Sequence, residues 1–124
     1  HIIPISNELR MGTLQLDPLM AFPAHLAPND LLFYTGTMFP EKYRGKMLIA
    51  KHGSWNRTQE AGHTGYNISL FDPETGIIRT LIDGWLQGNK AWGRPADIIE
   101  MPDGSVLIAD DYSNVIYRLT YNTF

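Results

Sequence analysis

Short runs of β-branched and aromatic residues, separated by glycine, proline and polar residues, fill most of the chain. Such runs are typical of strands, and seven of them are predicted, at residues 31–36, 47–52, 66–72, 77–83, 96–101, 105–109 and 114–120. In the last run, alternation predicts that Val115, Tyr117 and Leu119 share one face. No stretch of a dozen residues keeps a helical apolar period without Gly or Pro. The pattern therefore predicts an all-β protein with antiparallel sheets.

Two tight turns and one repeat organise these strands. Asp103-Gly104 and Glu74-Thr75-Gly76 lie between strand runs and predict hairpins, because Gly adopts a positive φ without a steric cost. The sequence LIAK at residues 48–51 recurs as LIAD at 107–110. Each copy follows a Gly-containing turn and precedes an alternating strand, so the repeat predicts four-stranded modules of the kind that build a β-propeller.

The repeat divides the chain into three parts. Residues 1–24, with a candidate strand at 13–16, are expected to be the remnant of a preceding blade. Residues 25–93 are expected to form a complete blade, and residues 94–124 a last blade with three of its four strands. Because a blade buries its faces only against other blades, two blades leave exposed faces and an unpaired strand edge. We expect that the chain does not persist as an isolated monomer.

The amino-acid composition excludes several classes of partner and of site. The chain has 124 residues, of which 44% are hydrophobic and 19% charged, as in ordinary globular domains. Ten Lys and Arg against 13 Asp and Glu provide no basic stripe, so no nucleic-acid partner is expected. No apolar run reaches the length of about 18 residues that suggests a membrane span. The absence of cysteine excludes disulfides, thiolate metal sites and a cysteine nucleophile.

The densest polar segment runs from His52 to Arg57 with the sequence HGSWNR, where a predicted strand passes into a loop. Loops on a β scaffold commonly carry ligand groups, and here Asn56 and Arg57 supply donors beside the stacking surface of Trp55. The alternative is a structural loop in which Trp55 fills a gap in the core and His52 caps the strand.

A second segment, Trp92-Gly93-Arg94-Pro95, places an arginine just before a predicted strand. A guanidinium group binds carboxylates through two nitrogens, so Arg94 is a candidate anion ligand. The alternative is a surface ion pair, for instance with Asp97. His25 precedes the first strand of the complete blade and could face a central channel, although a single histidine is more often structural.

Asp110 and Asp111 end a predicted strand, and adjacent carboxylates suggest Ca²⁺. The spacing lacks the ligand pattern of an EF-hand, so we favour the alternative in which the pair accepts hydrogen bonds from loop N–H groups. The sequence contains no nucleophile elbow, zinc-protease, Walker or dinucleotide motif. It therefore predicts no catalytic residue and no metal ligand within this chain.

Over residues 21–121 the chain resembles the PQQ-dependent sorbosone/glucose dehydrogenase family. The matching segments are AHLAP at 24–28, FYTG at 33–36, Phe39-Pro40, Tyr43-Arg44-Gly45, HGSWNR at 52–57, Gly65-Tyr66, WGRP at 92–95, PDGS at 102–105 and Asp110-Asp111. The resemblance implies the C-terminal third of a six-bladed propeller. Such proteins are commonly exported to the bacterial periplasm, and they oxidise sugars with pyrroloquinoline quinone (PQQ) as electron acceptor and Ca²⁺ beside it.

The resemblance also implies roles for residues. Arg94 corresponds to an arginine that contacts the quinone oxygens, and Arg57 to a basic residue beside the cofactor, with Asn56 and Trp55 in the same loop. His25 and His52 are implied to line the cofactor side. Where soluble glucose dehydrogenases have a further arginine, this chain has Ala96. The family's general base and main calcium ligands lie in an N-terminal part outside these residues, so the chain alone is expected to be inactive.

Two other interpretations remain open at this point. The chain could be a non-enzymatic propeller module that binds glycans or a protein partner through Trp55, Trp85 and Trp92. Alternatively, three copies could close a six-bladed ring through head-to-tail contacts.

Overall fold

The computed structural model describes residues 19–22, 26–54 and 64–122. Its strands are β1 (Pro28–Phe33), β2 (Met47–Lys51), β3 (Asn67–Phe71), β4 (Ile78–Ile82), β5 (Leu86–Gln87), β6 (Lys90–Ala91), β7 (Pro95–Glu100), β8 (Val106–Asp110) and β9 (Val115–Leu119). The helical content of these residues is a single 3₁₀ turn, Glu41–Tyr43. The prediction of an all-β protein with antiparallel sheets is confirmed. In the described ranges we find no helix that could cross a membrane.

The strands form two main sheets and a small hairpin. Sheet 1 has the order β1-β2-β3-β4, sheet 2 has the order β7-β8-β9, and β5 pairs with β6 alone. The predicted four-strand and three-strand modules are therefore both found. The largest difference from the sequence prediction is at β1, which spans Pro28–Phe33 instead of residues 31–36. The sequence also does not predict the two-residue strands β5 and β6, whereas the other six strands agree within one residue at each end.

Sheet 2 repeats the register of sheet 1. In sheet 1, Pro28 pairs with Lys51, and the register then shifts so that Asp30 pairs with Ala50. In sheet 2, Pro95 pairs with Asp110, and the register shifts in the same way. The LIAK and LIAD segments thus occupy the same place in the two sheets, and the sequence repeat corresponds to a structural one.

The main core lies between the two sheets, where β7 packs against β1 and β2. Sheet 1 contributes Leu48, Ala50, Ile68 and Leu70, and sheet 2 contributes Ile98, Val106 and Ile108. Each fully buried Leu or Ile contributes about 1.5–3 kcal/mol relative to an exposed one, so this layer is the main source of stability.

The opposite faces of both sheets are partly open. On sheet 1, Met20 and Phe22 pack against Met47, Ile49 and Phe71. The side chains of Leu31 and Phe33 on the same face are 58% and 46% exposed. On sheet 2, Ile99 and Ile116 are 54% and 71% exposed. Both outward faces therefore keep some exposed apolar side chains, although residues 19–22 cover part of the face of sheet 1.

The two sheets run in the same direction and share their ends. We call the arginine end the one where β2 and β8 finish and β7 begins, which carries His52, Arg94 and Asp110. We call the tyrosine end the opposite one, which carries Tyr34 and Gly104. The candidate strand at 13–16 and the candidate site residues His25, Trp55, Asn56 and Arg57 lie outside the described residues.

Candidate functional site

The arginine end brings together segments that are far apart in the sequence. His52 to Ser54 follow β2, Gly65 and Tyr66 precede β3, Gly93 and Arg94 precede β7, and Asp110 and Asp111 end β8. Adjacent antiparallel strands start and finish at the same edge of a sheet, which is why these loops meet. All of these segments belong to the motifs on which the resemblance rests.

Arg94 connects the two sheets at this end. Its Nε donates to the carbonyl oxygen of His52 at 3.0 Å and its Nη2 to that of Gly53 at 2.5 Å. The guanidinium also lies 5.2 Å from the centroid of the Tyr66 ring, a favourable cation–π distance. The predicted alternative, an ion pair with Asp97, is not the arrangement found, because the guanidinium donates to backbone oxygens instead.

The loop that receives Arg94 depends on two glycines. A Cβ on Gly53, whose φ is +99°, would lie 2.5 Å from the Tyr66 ring. A Cβ on Gly65 would lie 2.7 Å from the Cα of Gly53. Tyr66 itself has a φ of +60°, and its hydroxyl donates to the carbonyl oxygen of Ser54. Only glycine permits this approach, so the three segments pack as one unit beneath Arg94.

Asp110 organises the sheet 2 side of the same end. Its side chain is 2% exposed. Oδ1 accepts the backbone N–H groups of Arg94, Tyr112 and Ser113 at 2.9–3.0 Å, and Oδ2 accepts the Ser113 hydroxyl at 2.6 Å. Burial alone would raise the pKa of Asp110, but these hydrogen bonds outweigh it and lower the pKa. The favoured interpretation, in which Asp110 accepts loop N–H groups, is confirmed.

His52 and Asp111 form the exposed part of the cluster. His52 Nε2 lies 2.7 Å from Asp111 Oδ1, and the two side chains are 19% and 60% exposed. This contact spans the two sheets, as the bond between Arg94 and the His52 carbonyl does. The backbone N–H of His52 donates to Ala27 at 2.9 Å. His52 and Arg94 are thus the two predicted site residues that the described structure brings into contact.

Sequence reasoning missed one charged residue at this end. Lys51 ends β2 and is 9% exposed, and its Nζ lies 5.1 Å from the centroid of the Phe22 ring. Burial lowers the pKa of its ammonium group. The sequence repeat could have indicated Lys51. It ends LIAK as Asp110 ends LIAD, and the two residues occupy the same register position in the two sheets. Lys51 therefore lies at the same end of β2 as His52, but its ammonium group packs on Phe22 rather than on Arg94 or Asp110.

Within the ranges 19–22, 26–54 and 64–122, no three His, Asp or Glu side chains cluster as metal ligands. The adjacent carboxylates of Asp110 and Asp111 instead bind loop N–H groups and His52, respectively.

Comparison with known proteins gives one similar sequence. An uncharacterized protein of Borreliella burgdorferi is 40% identical over 119 residues, which cover 93% of this chain and 31% of that protein. The chain therefore spans about a third of the length of the relative that it matches. No family model matches the chain, and no solved structure matches it.

Proposed function

We propose that this chain forms part of a six-bladed propeller of a PQQ-dependent sugar dehydrogenase, which oxidises sorbosone or another aldose. The observation that carries the proposal is the meeting of HGS, Gly65-Tyr66, WGR and Asp110-Asp111 at the arginine end. Segments separated by up to 59 residues carry the family resemblance, and they converge on one surface. A binding site needs its residues to lie close together in space, and these segments do so although they are far apart in the sequence.

The sheets support the propeller part of the proposal. Two sheets of the same register stack with their first strands adjacent, because β7 packs against β1 and β2. In a propeller, the first strands of successive blades surround a central channel. The arginine end would then open into that channel, where propellers commonly bind ligands.

The donor chemistry at this end fits a polyanionic quinone in part. PQQ carries three carboxylates, which guanidinium and imidazole groups bind. Arg94 uses Nε and Nη2 for backbone oxygens, and its Nη1 donates to no protein oxygen among the described residues. We therefore assign Arg94 a single hydrogen bond through Nη1 to a carboxylate or quinone oxygen. His52, which Asp111 orients, would lie beside it.

The chain's residues would bind and orient the cofactor rather than perform the proton transfer. When bound, PQQ accepts the hydride that leaves the sugar carbon. Arg94, together with Arg57, would stabilise the negative charge that grows on the quinone oxygens. The general base and most Ca²⁺ ligands would come from the remaining blades, and export to the periplasm would accompany this activity.

Equilibrium dialysis of the proposed six-bladed protein that contains this chain against PQQ, with and without Ca²⁺, tests the proposal. We expect saturable binding that Arg57→Ala weakens about tenfold, which corresponds to the loss of one charge-assisted hydrogen bond of about 1.4 kcal/mol. Arg79→Ala is the matched control, because Arg79 is exposed on β4, away from the arginine end. Absence of PQQ binding to the folded six-bladed protein, or equal binding by all three proteins, contradicts the proposal.

One observation favours a non-enzymatic glycan-binding module as a second candidate. Trp92 is 47% exposed, and its Nε1 donates to the carbonyl oxygen of Gly84 at 2.7 Å, which fixes an indole face near the arginine end. Trp85 cannot offer a stacking surface, since it is 5% exposed and packs against Tyr117. Glycan binding that needs no PQQ, survives Arg57→Ala and is lost in Trp92→Ala would favour this candidate.

A further inference from the structure

His52 is held at the arginine end by hydrogen bonds of its backbone and of its ring. Its backbone N–H donates to the carbonyl oxygen of Ala27 at 2.9 Å, and its own carbonyl oxygen accepts Nε of Arg94 at 3.0 Å. Nε2 of the ring lies 2.7 Å from Oδ1 of Asp111, which belongs to the other sheet. The imidazole is therefore held in one orientation before any ligand binds.

The turn that carries Asp111 is also fixed. The buried carboxylate of Asp110 accepts the backbone N–H groups of Tyr112 and Ser113. These two residues follow Asp111 directly, so its backbone is held although its side chain is 60% exposed. Only the side chain of Asp111 has to be ordered to make the contact with His52, which keeps the entropy cost small.

The contact with Asp111 determines which nitrogen of His52 carries the hydrogen. An ionised carboxylate can only accept hydrogen bonds, so Nε2 donates and, in the neutral ring, Nδ1 keeps its lone pair. Nδ1 has no hydrogen-bond partner among the described residues. No side-chain nitrogen or oxygen of these residues is both sealed from solvent and without a partner. Nδ1 is therefore an open acceptor that a ligand can reach.

An open acceptor does not suit the carboxylates or the quinone oxygens of PQQ. These groups have no hydrogen to donate, and the single N–H of the neutral ring is already bound to Asp111. A hydroxyl group can donate, and sugars carry hydroxyl groups on most of their carbons. The ligand group that matches Nδ1 is therefore a hydroxyl of the sugar rather than an oxygen of the cofactor.

We propose that Nδ1 of His52 accepts a hydrogen bond from a hydroxyl group of the sugar substrate, and that Asp111 is the positioning residue that keeps Nδ1 open. This inference rests on the proposed dehydrogenase function, to which it adds a substrate contact. The hydroxyl is one that is not oxidised, because the general base in the other blades takes the proton of the reacting group. His52 thus orients the sugar at the end where Arg94 binds the quinone.

Two substitutions of His52 test the hydrogen bond. The probe is the methyl glycoside of glucose, whose capped anomeric oxygen prevents oxidation, titrated into the proposed six-bladed protein that contains this chain. The side-chain oxygen of asparagine can occupy the place of Nδ1, whereas glutamine carries its amide to the place of Nε2. We expect His52→Asn to keep the affinity within about twofold and His52→Gln to lose about tenfold, the usual effect of one hydrogen bond. Equal affinities of the parent and His52→Gln overturn the proposal.

A double-mutant cycle tests the role of Asp111. We expect Asp111→Ala to weaken binding of the glycoside about threefold in the parent, because the ring is then free to turn. The same substitution should have no effect in the His52→Asn background, since the shorter asparagine does not reach Asp111. An equal loss in both backgrounds would show that Asp111 does not act through His52, and would overturn its assignment as a positioning residue.

Nitrogen NMR of protein with isotope-labelled histidine tests the hydrogen position without any ligand. At about pH 8, where an ordinary imidazole is neutral, we expect hydrogen on Nε2 of His52 and a lone pair on Nδ1. Hydrogen on Nδ1 overturns the proposal whether or not PQQ binds. A protein that binds no PQQ in dialysis, but shows the expected pattern of glycoside affinities, would contradict the dehydrogenase function and leave the contact of His52 with a sugar supported.

Discussion

The two ends of the sheet pair are joined by different kinds of groups. At the arginine end, Arg94 donates to backbone oxygens and the carboxylate of Asp110 accepts loop N–H groups. At the tyrosine end, the buried hydroxyl of Tyr34 donates to the Gly104 carbonyl at 2.7 Å and accepts the Phe39 N–H at 3.1 Å. The Tyr34 ring also stacks on Phe39 with centroids 4.5 Å apart. Both ends hold the sheets together. The cross-sheet groups of the arginine end are the Arg94 guanidinium and the pair of His52 and Asp111, whereas those of the tyrosine end are a buried neutral hydroxyl and the more exposed carboxylate of Glu100.

The difference between the two ends indicates which of them is the better candidate for binding a ligand. At the tyrosine end the buried contacts are neutral, and Glu100 accepts the N–H groups of Thr35 and Gly36 at the surface. Such groups secure the fold and offer little to a ligand. At the arginine end a guanidinium, an imidazole and two carboxylates lie together. This polar set is therefore the better candidate for binding.

The largest effect is expected for Gly93→Ala at the arginine end. The added Cβ would lie 2.2 Å from Asp110 Oδ2 and 2.4 Å from Trp85 Cδ1, and both side chains are buried. We expect a loss of about 3 kcal/mol in the free energy of unfolding, measured by denaturant titration. Gly36→Ala at the tyrosine end, with contacts of 2.8–2.9 Å, should lose less. A larger loss at Gly36 would reverse the comparison.

Asp110→Asn is expected to cause the next largest loss in the free energy of unfolding and to weaken the pH dependence of that free energy. The amide retains one acceptor oxygen but loses the charge that the loop N–H groups stabilise, at a cost of about 2 kcal/mol near pH 7. Because hydrogen bonding lowers the pKa of Asp110 in the fold, its contribution is complete above the unfolded pKa of about 3.9. It is lost as the pH falls through the lower, folded value. Thermal unfolding between pH 2 and 7 should show this loss in the parent and a weaker one in the variant.

Tyr34→Phe should produce a smaller loss with no such pH dependence. Removing the hydroxyl leaves the Gly104 carbonyl and the Phe39 N–H without their partner, at a cost of about 1–2 kcal/mol. Tyr121→Phe is the control, because Tyr121 is 45% exposed. If the loss in the free energy of unfolding varied between pH 4 and 8, a titrating group would contribute to the contacts of Tyr34, contrary to this prediction.

The smallest effect is expected for Arg118→Gln. Arg118 pairs with Asp103 near the tyrosine end, but the two side chains are 57% and 45% exposed. Solvent and salt screen such a pair, so we expect no measurable change in the midpoint of thermal unfolding. A clear decrease that disappears in 1 M salt would show that this surface pair contributes more than its exposure suggests.

Much of the fold could be predicted from the sequence because strand signals are local. Alternation and β-branched residues located the seven long strands, and Gly104 and Gly76 adopt the positive φ that their hairpins require. The start of β1 was missed because Pro28, Asn29 and Asp30 disfavour strands in general. Pro28 is nevertheless tolerated at the first position of an edge strand. The hairpin of β5 and β6 has two residues in each strand, too few to show a period.

For the candidate site, the sequence indicated some of the residues but not their arrangement. Motif patterns indicated His52, Arg94 and Asp110, but the sequence could not indicate that Arg94 donates to the backbone of His52, 42 residues away. Such a bond depends on how two sheets stack, which no local pattern encodes. The same holds for Glu100, which accepts N–H groups from residues more than 60 positions earlier.

The single carboxylate of Asp110 also determines how the loops at its end exchange hydrogen with solvent. It accepts the amide hydrogens of Arg94, Tyr112 and Ser113, which lie outside the ladders of the sheets. Loop amides normally exchange rapidly, but these three should exchange only when Asp110 releases them. Their exchange rates would therefore report the frequency at which the last strand turn and the start of β7 separate together.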